Sequence, residues 1–166
     1  FVDELGNGRK NLIYCNAKIK VVEFAREYAN GLKEQDDPDL HALAEEIREQ
    51  VHEDYYLAGT VEKGVAYHVG YLPTSIRLRI EELFRKKDGG IHTIFCTSTL
   101  LEGVNLPADN LFITDYKNGS YPMSAVEFKN LIGRVGRLQY TLYGNVFLMC
   151  LPEVNIEPKN YVSLLQ

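Results

Sequence analysis

Five short apolar runs alternate with stretches of helical periodicity, and no other feature restricts the folding of this chain as strongly. The runs are Asn11–Cys15, Val65–Tyr67, Ile91–Cys96, Leu111–Ile113 and Asn145–Cys150. Runs of this length, bounded by polar and turn residues, read as strands buried on both faces. From Ala17 the pattern turns helical, with Val21, Val22, Ala25, Tyr28, Ala29 and Leu32 on one face. Asp37-Pro38 is an N-cap followed by proline at the first helical position, and Leu40, Leu43, Ala44, Ile47 and Val51 form the stripe behind it. Thr74 or Ser75 opens a helix that turns Ile76, Ile80, Leu83 and Phe84 inward, and Asp88-Gly89-Gly90 ends it. Ser124 and Glu127 have capping-box spacing and start a helix carrying Phe128, Leu131, Ile132 and Val135. Strand–helix alternation of this kind predicts an α/β fold, a mostly parallel sheet with helices on both faces.

In such sheets ligands bind beyond the carboxyl ends of the strands. The residues expected there are Asn16 and Lys18, His68 and Gly70, Thr97 and Ser98, and Asp115 and Lys117. One edge therefore gathers hydroxyls, amides, a histidine and lysines, chemistry that suits a phosphate backbone.

Charge at first argues against such a partner, since the chain of 166 residues carries a net −5. The acidity is local. Residues 34–54 hold nine acids against one base, Arg48, and taking that segment's −8 from the total of −5 leaves the remainder at +3. The acids lie mostly off the apolar stripe of their helix, so they read as a solvated face. Cys15, Cys96 and Cys150 form no CxxC pair and no metal spacing with histidine, so buried reduced thiols and a cytoplasmic setting are expected. No apolar run approaches the roughly 20 residues of a membrane helix, so no membrane partner is expected. The first residues resemble no signal peptide and lack an initiator methionine, which reads as an excised fragment.

The sharpest motif is Asn130-Leu131-Ile132-Gly133-Arg134-Val135-Gly136-Arg137. Arg134 and Arg137 share a face on a continuing helical turn. The intervening glycines permit close approach, and arginine grips phosphate oxygens bidentately. Taken alone, the pair is equally a surface feature favoured by the helix dipole. The second motif is Thr97-Ser98-Thr99-Leu100-Leu101-Glu102-Gly103-Val104-Asn105-Leu106-Pro107, which follows a buried strand directly. By itself it is also an ordinary strand-to-helix connection.

Together these segments resemble superfamily 2 helicases. Asn11–Lys18 is similar to motif IV, Thr97–Pro107 to motif V and Asn130–Arg137 to motif VI. Tyr67-His68-Val69-Gly70-Tyr71-Leu72-Pro73, with Arg77 after it, resembles the histidine-glycine segment between IV and V. Order and spacing match from about residue 10 to residue 150. Glu102-Gly103-Val104-Asn105-Leu106-Pro107 is nearest the superkiller-like and lesion-repair branch. The chain departs from the pattern at Asn130, where glutamine or histidine is usual, and at Val69, which replaces a common second histidine.

The resemblance implies a RecA-like three-layer sandwich over residues 1–151, with an acidic helical insertion at about 34–60 and an exit linker at 152–166. It implies that Arg134 and Arg137 act as catalytic arginine fingers. Gly103, Asn105, Asn130 and Gly133 would join them around ATP. Asn16, Lys18, His68, Gly70, Arg77, Thr97 and Ser98 would build or support a track for DNA or RNA. His68 also fits a hydrogen-bonded strand-end histidine. The sequence holds no GxxxxGK[ST] loop and no acid pair after an apolar strand. In this family those parts sit on a first RecA-like lobe, which would hold most of the ATP and its Mg2+. The expected role is the second lobe of an ATP-dependent helicase or translocase, inactive as an ATPase alone. A non-catalytic helicase-derived binding module and a double-strand translocase are the alternatives.

Overall fold

The computed structural model describes residues 8–51, 55–70, 72–98, 106, 108–133, 144–151 and 155–165. Strands β1 (Asn11–Tyr14), β2 (Val65–His68), β3 (Thr93–Cys96), β4 (Asn110–Ile113) and β7 (Asn145–Leu148) form one sheet in the order β2-β3-β1-β4-β7. All four pairings are parallel. The first four strands are buried along their whole length, as their unbroken apolar runs require. β7 is half-exposed at the edge.

The helices are α1 (Lys18–Asn30), α2 (Pro38–Gln50), α3 (Tyr56–Val61), α4 (Thr74–Arg85), α5 (Ala125–Ile132) and α6 (Pro158–Leu165). Register decides which face each one covers. Tyr67, Phe95, Ile13, Phe112 and Phe147 are aligned across the sheet, so they share a face. Tyr28 of α1 packs on Phe95, with ring centroids 5.8 Å apart, which puts α1 on that side. His68 and Cys96 point the opposite way, and His68 meets Glu81 of α4 there. Right-handed crossovers give the same result, because β1→β2 moves two places along the sheet and β2→β3 turns back. The architecture is the RecA-like α/β sandwich that the sequence implied.

Local signals set the helix ends. Asp37 Oδ1 accepts from the Asp39 amide at 3.0 Å and caps α2, whose Leu40, Leu43, Ala44 and Ile47 are fully buried. Three basic residues balance part of the acidic face of this segment: Arg48 bridges Glu45 and Glu62, Lys86 bridges Asp39, and Arg79 lies 4.0 Å from Glu46. After α4 the chain turns at Gly89 and Gly90, with φ of 76° and 68°. A side chain at Gly90 would collide with the Leu83 carbonyl, so glycine is required there. Within the stretch read as an exit linker, α6 docks on the sheet. The Tyr161 hydroxyl donates to the carbonyls of Met149 at 2.6 Å and Ile113 at 3.2 Å. No described helix is long and apolar enough to cross a membrane.

One expectation about the cysteines is corrected. Cys15 and Cys96 are buried, but Cys150 is exposed, because it lies beyond the last paired residue of the edge strand β7. Burial pushes the Cys15 thiol up to about 12 and raises that of Cys96 as well, so both stay protonated.

Candidate functional site

At the carboxyl edge of the sheet, β1 and β4 each run one residue past their ladders. The Cys15 amide donates to the Cys96 carbonyl at 2.8 Å, and the Thr114 amide and hydroxyl both donate to the Tyr14 carbonyl, at 3.1 and 2.7 Å. Asn16 is half-buried and Lys18 is exposed on the first turn of α1. Thr97 is buried at the end of β3 and Ser98 is half-buried beside it. Gly70 is exposed after β2, with no atom within 4 Å of where a Cβ would lie.

A feature that the sequence reading missed ties this edge together. Asp115 and Lys117 were recognised as strand-end residues, but they lead into a hairpin, β5 (Lys117–Asn118) and β6 (Tyr121–Pro122). Gly119, at φ 64°, opens its two-residue turn, and Asn118-Gly119-Ser120 is the signal that would have revealed it. The hairpin is bolted to the strand ends. Asn16 and Gly119 exchange hydrogen bonds at 3.0 and 2.8 Å, the Ser98 hydroxyl donates to Asn118 Oδ1 at 3.1 Å, and the Tyr14 hydroxyl donates to the Lys117 carbonyl at 2.7 Å. Asn16 and Ser98, two residues expected along the track, therefore meet through this hairpin. Tyr121 stands at its far side, 79% exposed.

His68 lies deeper than a contact residue would. It is 2% exposed and its ring faces α4, where Nε2 is 3.8 Å from Glu81 Oε1. Among the described residues neither ring nitrogen has a hydrogen-bond partner, which does not match the reading of His68 as a hydrogen-bonded strand-end histidine. Burial, and then the positive charge of Arg77, lower its pKa from 6.5 to about 4. Arg77 itself is half-buried on the first turn of α4, with Nη2 donating to Thr74 Oγ1 at 3.3 Å.

The shift carries a stability consequence. The folded-state pKa is depressed, so between pH 6.5 and about 4 the unfolded chain binds a proton that the folded chain refuses. The contribution of His68 is complete above pH 6.5 and is lost as pH falls toward 4. A shift of this size corresponds to about 3 kcal/mol. Denaturant titrations across this range should show His68→Asn losing less stability on acidification than the wild type. An unchanged pH dependence would remove His68 from the acid response.

The second motif region starts from α5. Ser124 and Glu127 form the capping box, with bonds of 2.7 and 3.1 Å, and Phe128 and Leu131 are buried. Asn130 is exposed on the last turn, and Gly133 closes the helix by donating to the Lys129 carbonyl at 2.9 Å. Gly133 keeps a helical φ of −65°, so its backbone conformation does not require glycine. A helix carboxyl end carries partial negative charge and repels anions. Arg134, Arg137, Gly103 and Asn105 lie outside the described residues. Among the described residues no three His, Cys, Asp or Glu side chains cluster as metal ligands.

Residues 2–139 match the family described as helicase conserved C-terminal domain. Over 158 residues the chain is 32% identical to the ATP-dependent DNA helicase Hel308 of Methanocella arvoryzae, a match covering 89% of this chain and 21% of that protein. The Hel308 helicase of Methanococcus vannielii is 31% identical over 173 residues, covering 98% of this chain and 23% of its own. Anti-bacteriophage protein B of Escherichia coli is 27% identical over 146 residues, covering 86% and 19%. The chain thus spans about a fifth of the length of these curated relatives.

Proposed function

We propose that this chain, which belongs to the superfamily 2 helicase C-terminal domain family, forms the second motor lobe of an ATP-dependent nucleic-acid helicase or translocase. The observation that carries the reading is the carboxyl edge of the sheet, where Asn16 and Ser98 converge on the β5–β6 hairpin and Thr97 lies buried beside Ser98. Amides and hydroxyls at strand ends suit phosphate oxygens, and contacts of that kind carry little sequence preference. Gly70 leaves room for a backbone to approach, and Lys18 and Arg77 supply positive charge. His68, buried at the end of β2, supports the track from inside. Tyr121 offers an exposed aromatic face on which a base can stack. The Hel308 relatives are DNA helicases by name. The phosphate contacts proposed for this chain are common to DNA and RNA.

For the nucleotide, ATP is the substrate and its hydrolysis supplies the free energy of the cycle. The first lobe of the parent protein would hold most of it, with Mg2+. This chain would contribute Arg134 and Arg137 as positive charge against the transferring phosphoryl group, with Gly103, Asn105, Asn130 and Gly133 alongside. The arginines offset the unfavourable dipole at the end of α5. While they face phosphate charge the two lobes are drawn together, and when that charge leaves they separate. The track then advances along the strand.

This division of labour predicts negligible ATP turnover by the isolated 166-residue chain, with or without a single-stranded oligonucleotide. Phosphate release by the purified chain at the rate of the parent protein would overturn the proposal.

A further inference from the structure

The hairpin that joins the strand ends carries a chemical liability of its own. An asparagine followed by glycine closes on itself readily, because glycine has no side chain to hinder attack by its backbone nitrogen. Three such pairs occur in the chain, Asn7-Gly8, Asn30-Gly31 and Asn118-Gly119, and the last is the one that lies on the candidate site. Gly119 is exposed, so water reaches the turn, and Asn118 beside it is half-buried. Both reacting groups are already engaged. The Gly119 amide donates to the Asn16 carbonyl at 2.8 Å, and Asn118 Oδ1 accepts from the Ser98 hydroxyl at 3.1 Å. A third bond, from Asn16 Nδ2 to the Gly119 carbonyl at 3.0 Å, holds the same turn from its other side. Asn16 follows β1 and Ser98 follows β3, so these three bonds come from the tertiary structure and not from the hairpin itself.

We infer that Asn118 is a modification site at the proposed nucleic-acid edge: Asn16 and Ser98 hold the Asn118-Gly119 pair from closing, and when they release it the asparagine deamidates. The Gly119 nitrogen forms a bond to Asn118 Cγ, its proton passes through solvent to the departing amide, and that amide leaves as ammonia. Water then opens the cyclic imide. Cleavage of the new bond gives aspartate, and cleavage of the original peptide bond gives isoaspartate, which lengthens the main chain. One water is consumed and one ammonia is released. Either product places a carboxylate where a neutral amide stood. Its effect on binding rests on the reading of this edge as a nucleic-acid track, since a carboxylate there repels phosphate.

The test ages the parent protein at mildly alkaline pH and follows Asn118 by peptide mass, in the native protein and in protein unfolded by urea. Native conversion should be about 25-fold slower, about fivefold for each of the two bonds on the reacting groups. Asn16→Ala, which frees the Gly119 carbonyl, should speed the native reaction about fivefold. Asn118→Gln would have to close a larger ring and should stay unmodified. The consequence is read with fluorescent single-stranded oligonucleotides, DNA and RNA. Asn118→Asp keeps an acceptor for the Ser98 hydroxyl, so it should fold as the wild type does. It should bind about fivefold more weakly at low salt, the order expected for one like charge beside a phosphate in water. Raising the salt should close that gap. Aged wild-type protein should lose affinity as Asn118 converts, and aged Asn118→Gln should not. No conversion in urea, equal rates in native and unfolded protein, or no acceleration in Asn16→Ala would overturn the modification site. Wild-type affinity of Asn118→Asp at low salt would overturn its effect on binding. A parent protein that binds neither oligonucleotide would overturn the reading of the track, while the mass measurements would still decide the chemistry at Asn118.

Discussion

Replacing Arg134 by alanine in the parent protein is expected to lower ATP turnover by about 10³–10⁵-fold, while nucleic-acid affinity changes only severalfold. The asymmetry follows from where the proposal puts the charge. An arginine finger acts on negative charge that spreads over the equatorial oxygens of the transferring phosphoryl group, and that charge is greatest in the transition state. Its removal costs roughly 4–7 kcal/mol of barrier and little ground-state binding. The track residues Thr97 and Ser98 belong to other elements and keep their contacts. Arg137→Ala should show the same pattern. The measurement is steady-state turnover set beside equilibrium binding of a labelled oligonucleotide. Equal losses in both would show that the arginines maintain the structure of the lobe and do not act on phosphate.

Phe112→Ala should be the most damaging single truncation in the sheet core, at about 3–5 kcal/mol. Phe112 has no exposed surface on β4, next to the central strand, and its ring stacks on Phe147 with centroids 4.8 Å apart. The two strands that flank it pair along their whole length, so the vacated space cannot close without breaking register. Since whole domains are stable by only about 5–15 kcal/mol, the truncated chain would stand near its unfolding threshold. Phe147→Ala should cost clearly less, because Phe147 is half-exposed on the edge strand and water already reaches it. Denaturant unfolding of the two variants reads the difference directly. Equal costs would mean that the face over β7 is as tightly packed as the centre of the sheet.

Much of the fold was legible because its signals are local. Asp37-Pro38 announces α2 within two residues, Ser124 and Glu127 announce α5 within four, and the apolar runs match the sheet strands to within a few residues. Gly119 and its neighbours announced a turn just as locally, but a hairpin with two residues per strand leaves no alternation to read. The candidate site was legible only in part. Asn16, Gly70, Thr97 and Ser98 could be placed at strand ends from the alternation alone.

The depth and partners of the site residues could not be read in this way. His68 sits at the last position of its strand, and the period of two assigns it to one face or the other without saying what covers that face. Glu81, which covers it, stands 13 positions further along the chain. The exposure of Cys150 likewise depends on β7 being the edge of the sheet, a property of strand order.

By itself, then, the sequence determined the alternation of elements, the helix starts and the set of polar residues delivered to one edge, because each depends on neighbours a few positions away. The tertiary structure alone decided the order β2-β3-β1-β4-β7, the inward turn of His68 onto Glu81, and the joining of Asn16 and Ser98 to the 117–122 hairpin. Those depend on contacts between residues as many as a hundred positions apart, which no local period or cap encodes.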